Sequence, residues 1–431
     1  MKSIASVLSI IALGFGLLGC PSSGGGGGGS GSSSTAFLYA SNSGGSDISA
    51  YSVDTNTGVL TPLANSPFTA GTNPQAMVVT ASGSVAFVSN AGSANVSGYI
   101  VDSGTGFLTP ASVLPFAAET TPQTLTLEPF ERFAFVANTG ANSVSVYFVN
   151  TTTGILTAVP GSPFSTAPGI QPQQATVVTV SSTVQFVYVA NAVSGNVSGF
   201  LLNTNSGSLT PAPGSPFAVG ATPRSVVADS AGNFVYVSNS GGGTISAFRV
   251  DQTTGALIAN VVGAPFAAGG TPQSVTLHSS KPFAYVANAG SSNISAYLVN
   301  AGTGVLSVIT NPGPPITNFF GAGLIPQQVT IDPSGKFALV ANAGSDNVSV
   351  YEINQIDGRL AQVTGSPFPS GGFPQRVTVD PTGKFVFVPN AGTHNVSVYQ
   401  LNSTTGFLTP VAGSPFSTGT SPLFATTAGA F

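Results

Sequence analysis

One cysteine, Cys20, occurs in 431 residues, which excludes an internal disulfide framework and a cysteine-built metal cluster. Charge is nearly as scarce. Asp, Glu, Lys and Arg make up 5% of the chain, against about 25% in an ordinary soluble domain. The nine Lys and Arg residues are scattered and form no basic patch, so nucleic acid, which is bound by neutralising phosphates, is not an expected partner. Only two histidines are present, His278 and His394, and no His-x-x-x-His or Asp-rich spacing points to a metal; no cofactor is expected. Beyond the first twenty residues no apolar run approaches the 18 or so that a membrane helix needs. The lack of charge does not make the chain disordered, because disorder needs low hydrophobicity as well, and 42% of the residues are hydrophobic. The surface must be covered by Ser, Thr, Asn, Gln and Gly.

The N-terminus carries an address. Lys2 supplies a positive end, Ile4 to Leu18 an apolar stretch, and Leu17-Leu18-Gly19-Cys20 follows. Such a segment is processed and stands outside the fold. Residues 1–19 are therefore expected to be a signal peptide. Residues 20–35 begin at Cys20 and are almost entirely Gly and Ser, a composition that cannot bury apolar surface and behaves as flexible coil. A coil of this length spans on the order of 20 Å. The globular domain is expected over residues 36–431.

Within that domain one unit repeats. It reads Phe234-Val-Tyr-Val-Ser-Asn239, Thr244-Ile-Ser-Ala-Phe248, Thr254-Gly255, Ala264-Pro-Phe266, then Thr271-Pro-Gln273. The Asn closing its first segment recurs at Asn42, Asn90, Asn138, Asn191, Asn239, Asn288, Asn342 and Asn390, at intervals of 48 to 54 residues. Repetition at this period without helical patterning indicates small sheets arranged radially, a β-propeller. Each blade is read as four strands: A (the type Gln273 to Leu277), B (Phe283 to Ala287), C (Asn347 to Tyr351) and D (Val305 to Ile309). Strand B is apolar on both faces, as a strand buried on both sides should be. Asp332-Pro-Ser-Gly-Lys336 makes an A–B turn, Asn-Ala-Gly-Ser the B–C turn, and Asn/Asp-x-x-Thr-Gly the C–D turn. The repeat begins at strand B, Phe37 to Ser41, and ends on a lone strand A, Leu423 to Thr427. Eight blades closed by the C-terminal strand are expected, with seven blades plus an irregular segment as the alternative. Two places depart from the pattern: the longer loop Asn311 to Ile325, and the A–B hairpin of blade 4 around Thr179 to Gln185.

Two resemblances follow from these motifs. Leu17-Leu18-Gly19-Cys20 resembles the lipobox of bacterial lipoproteins, which implies a diacylglyceryl group on Cys20 and attachment to a membrane. Position 21 is Pro rather than the Asp that retains enteric lipoproteins at the inner membrane, so the envelope's outer membrane or the cell surface is the expected location. The blades FVYVSN…TISAFRVDQTTGAL…PQSVTL and DPSGKFALVANAGSDNVSVYEINQIDGRL, over residues 36 to 431, resemble the lactonase-type propeller family and its YVTN-repeat relatives. That resemblance implies the fold and, as one reading, hydrolysis of a lactone of the 6-phosphogluconolactone type. Blade count, compartment and low charge depart from the enzymatic members, and none of their catalytic His, Arg or Glu motifs maps onto a position here.

The residues themselves favour a binding or scaffolding module, with a lactonase-like hydrolase and a structural envelope or adhesion protein as alternatives. No catalytic or metal-ligating residue is assigned. His278 and His394 sit at turn positions that hold Asp in other blades and are expected to be exposed. Glu128-Pro-Phe-Glu131-Arg132, the densest charge cluster, is expected to be a solvated turn. The candidate ligand residues lie where strand A enters: Gln75, Gln123, Gln173, Gln273, Gln327 and Gln375 after Pro, interrupted by Arg224 and Leu423, with Arg376 one place further on. Because neighbours on a strand point to opposite faces, Arg224 and Arg376 are expected to leave their blades in opposite senses. A small anionic or carbohydrate-like ligand, or a protein, is the partner such a ring would suit.

Overall fold

The computed structural model describes residues 36–112, 115–311 and 318–431. The signal peptide, Cys20 and the Gly/Ser segment lie outside the described residues, as do residues 312–317 of the Asn311 to Ile325 loop.

Blade 2 shows how the repeat folds. Strands Pro74–Val79, Val85–Asn90, Asn95–Val101 and Leu108–Pro110 pair antiparallel in that order. Strand B is buried at every position, because blades stack on both of its faces. The outer edge differs from expectation. Strand D is only three residues long, and the Phe116–Ala117 pair returns to bond Asn95 and Val96 at the other end of strand C. The edge is thus two short pieces separated by a Pro-containing link, and the corresponding stretch of blade 6 is Leu306–Val308 rather than Val305 to Ile309. Short edges ending in Pro, as at Pro62, Pro110, Pro211 and Pro410, offer little for another chain to pair with.

Eight such sheets form the ring. The last strand, Pro422–Gly429, pairs along the whole of Ala36–Asn42 and supplies strand A of blade 1. Eight blades with closure by the C-terminal strand is therefore the architecture, and the seven-blade alternative falls. In blade 4 strand A is extended to Pro172–Thr179, as its longer hairpin suggested.

The core lies between blades. Phe37 and Tyr39 of blade 1 pack with Met77, Val88 and Tyr99 of blade 2, and the same arrangement recurs around the ring. The Thr-Gly turn takes part in this packing. Gly106 has φ +71°, and a Cβ there would collide with the ring of Phe37 in the preceding blade. Glycine meets both demands at once, a left-handed backbone and a close approach.

The repeated Asn is wholly buried, and its amide nitrogen holds the B–C hairpin together. Asn90 Nδ2 donates to Asn95 Oδ1 at 2.8 Å and to Ser97 Oγ at 3.0 Å, and equivalent pairs occur in the other blades. Inner strands of neighbouring blades are joined by threonine. The hydroxyls of Thr126, Thr276, Thr330 and Thr378 donate to backbone carbonyls of Ala175, Val329, Val377 and Ala425 in the next blade. These bonds fix the wall of the central channel.

Candidate functional site

Seven of the eight strands A begin at a buried proline, on the face of the ring that also carries the B–C turns. In blade 8 the buried Pro374 makes an isolated bridge to Asn390, and the strand proper is Thr378–Val379. Proline has no N–H to give the ladder, so pairing slips there. The register shifts between Pro223 and Ser225, between Pro172 and Gln174, and between Pro272 and Val275. These bulges interrupt the alternation of side chains. The two residues after Pro both turn toward the channel, where a regular strand would have sent one of them into the blade.

The consequence is one polar cavity of about 220 Å³ at the channel mouth. Gln123, Gln173, Gln273, Gln327, Gln375 and Arg224 line it from the first place after Pro, and Gln174, Gln328 and Arg376 from the second. Arg224 and Arg376 therefore share one cavity and do not leave in opposite senses; the bulge is the reason. Gln75, a candidate from sequence, is not among the lining residues. Its amide instead donates to Asn73 Oδ1 at 2.6 Å. Sequence reasoning missed Gln174 and Gln328, and the doublet Gln-Gln after Pro is the signal that marks them.

The two cations differ. Arg376 is enclosed by protein but still reached by water, and desolvation pulls its pKa below the ordinary guanidinium value. Its Nη1 donates to Gln328 Oε1 at 3.3 Å, and the guanidinium lies 5.2 Å from the Phe424 ring centre, a cation–π contact. Arg224 is exposed at the mouth. No carboxylate and no histidine is among the residues lining the cavity. Guanidinium forks and amides at this density can bind a carboxylate or carbonyl oxygen together with several hydroxyls. They supply no group of ordinary general-base pKa.

The other charged candidates lie elsewhere. His278 is buried, not exposed: Nε2 donates to Gly335 O at 2.9 Å in blade 7, while Nδ1 accepts the N–H groups of Ser280 and Lys281. His394 is exposed, and its Nδ1 accepts the Ser421 N–H at 3.0 Å. Glu128 is no solvated turn residue. Its side chain is fully buried, with Arg132 Nε 2.8 Å from Oε1, because blade 4 packs over it. Among the described residues no group of three His, Cys, Asp or Glu side chains is placed to hold a metal ion.

The protein family described as "Lactonase, 7-bladed beta-propeller" matches residues 30–113, 110–265 and 259–422. Among solved structures, the ring resembles a candidate 6-phosphogluconolactonase from Bacteroides uniformis, at a TM-score of 0.61 and 18% identity over 92% of this chain and 99% of that one. It also resembles the periplasmic gluconolactonase PpgL of Pseudomonas aeruginosa, at 0.60 and 19% over 92% and 99%. A third is AztD from Citrobacter koseri, at 0.60 and 12% over 92% and 98%. At these identities the likeness establishes a shared fold. No curated protein matches the sequence.

Proposed function

Since the chain belongs to the lactonase family of seven-bladed β-propellers, here with an eighth blade, we propose that it binds a small sugar acid or its lactone at the mouth of the central channel. Arg224 takes the carboxylate or ring carbonyl, Arg376 adds a second positive centre, and the glutamine ring bonds the hydroxyls. One observation carries this reading: two arginines from blades 5 and 8 converge on one cavity whose lining holds no carboxylate. A confined guanidinium without an anionic neighbour is costly, and an anionic ligand relieves that cost.

Titration calorimetry with gluconate tests it. Losing one charge-assisted hydrogen bond costs about 1.5–3 kcal/mol, roughly a ten- to hundredfold loss of affinity. Wild type is expected to bind, and Arg224→Gln to bind at least about tenfold more weakly. Equal affinity for both proteins removes the arginine from the site.

Lactone hydrolysis is the second reading, supported by family membership and by the likeness to the periplasmic gluconolactonase of Pseudomonas aeruginosa. Arginine in a confined site can stabilise the oxyanion that forms as water adds to a lactone carbonyl. Without a base in the lining, the attacking water must lose its proton to solvent, and turnover is expected to be slow. A pH-stat assay with glucono-1,5-lactone separates the readings: rapid turnover that falls in Arg224→Gln selects the hydrolase.

For location we propose a lipid anchor on Cys20. Ala36, where the described chain begins, pairs with Val53 and Gly429 at the A–B and C–D turns, on the face opposite the channel mouth. A tether leaving from there turns the mouth away from the membrane.

A further inference from the structure

Tyrosine hydroxyls tie neighbouring blades in two sets. On strand C, Tyr51, Tyr99, Tyr147, Tyr297, Tyr351 and Tyr399 donate to a backbone carbonyl in the outer Phe-containing pair of the preceding blade. On strand B, Tyr39, Tyr188, Tyr236 and Tyr285 donate to the C–D-turn glycine of the following blade. The remaining blades have Phe or Leu at these positions and no hydroxyl to offer. Seven interfaces thus keep at least one tyrosine bond. The eighth, between blades 3 and 4, has Phe135 on one side and Phe200 on the other.

That interface holds something different. Glu128, in the A–B turn of blade 3, is fully buried and pairs with Arg132. Gln185 of blade 4 donates its Nε2 to Glu128 Oε2 at 3.0 Å, and Arg132 Nη1 donates to the Thr204 carbonyl of blade 4 at 3.3 Å. Apolar packing there is continuous, with Phe135, Val146, Val187 and Phe200 in one cluster. Other interfaces also carry cross-blade polar bonds, such as His278 to Gly335 and Lys384 to Thr55. A buried carboxylate paired with an arginine is, among the described residues, what sets this one apart.

We propose that the Glu128–Arg132–Gln185 network is the latch of the blade 3–blade 4 interface, standing in for the absent tyrosine, and that this interface is where the ring opens first when its latch is lost. A phenol replaced by Phe leaves one carbonyl to be resolvated. A buried carboxylate deprived of its arginine leaves an uncompensated charge beneath blade 4, a far larger penalty. The charged latch therefore fails more completely than a phenolic one.

Hydrogen-exchange mass spectrometry on the full chain tests this. Arg132→Met is expected to lose protection first in Pro122–Leu127 and Gln185–Asn191, the strands flanking the interface, while Tyr147→Phe at the 2–3 interface has a much smaller effect. Adding Glu128→Gln to Arg132→Met removes the uncompensated charge, and protection is expected to return. Should Arg132→Met not fold, the milder Gln185→Leu, which removes one bond of the latch, gives the same reading in graded sub-denaturing urea, with these strands exchanging first. Protection lost evenly around the ring, lost first at another interface, or unrestored by Glu128→Gln overturns the proposal.

Discussion

His278 illustrates how one substitution within a repeat changes what a position does. The same place in other blades holds Asp229, Asp332 and Asp380, whose carboxylates accept the N–H of Phe234, Phe337 and Phe385. The imidazole spends one nitrogen on its own turn and the other on Gly335 of the next blade. These partners require the neutral ring with its proton on Nε2, and burial lowers its pKa. The unfolded chain takes up a proton near the ordinary value of about 6.5, the folded chain only at lower pH. The contribution of His278 to stability is therefore full above about pH 6.5 and shrinks as pH falls toward the folded pKa. Urea unfolding at pH 7.5 and 5.5 should show wild type losing more stability on acidification than His278→Asn; identical losses would refute the assignment. Gly106 allows a second test at this scale. Gly106→Ala meets both a positive φ and the Phe37 ring and should cost about 1–3 kcal/mol. Gly104→Ala, with only Asp102 near its added Cβ, should leave chemical unfolding nearly unchanged.

At the scale of elements, strands B and C and the turns between them were legible because Phe, Val, Tyr, Asn, Thr and Gly recur at fixed offsets. The start of strand A was not. Its alternation looked regular, and nothing local announces that the proline shifts the register and turns two successive side chains, rather than one, into the channel. The burial of Glu128 and His278 was hidden for a different reason. Each is covered by the next blade, through partners 57 residues away in the chain, and a turn read by itself carries no sign of such contacts. The C-terminal strand makes a test of its own. Pro422–Gly429 pairs with seven residues of strand B in blade 1 and packs against blades 2 and 8. Deleting Leu423 to Phe431 exposes that edge and opens the ring. The truncated protein should melt far below the intact one in calorimetry, and a shift of a degree or two would contradict closure by this strand.

For the whole molecule, scarcity of charge and an eightfold polar repeat combine to one effect: the few cations stand out, and two of them meet at the channel mouth. The ring offers a neutral wall of amides in which Arg224 and Arg376 are the recognisable feature, and this arrangement carries the functional reading. Attachment is a separate matter, with a separate test. Cys20→Ser should move the protein from the membrane to the soluble fraction after a carbonate wash, and equal retention would contradict the lipid anchor. The most direct measurement of the central claim is a crystal structure of the mature domain soaked with gluconate. The account predicts density in the mouth cavity with the ligand's carboxylate on Arg224 or Arg376 and its hydroxyls on the glutamine ring. An empty mouth at saturating gluconate, or ligand bound only on the outer rim of the blades, would contradict it.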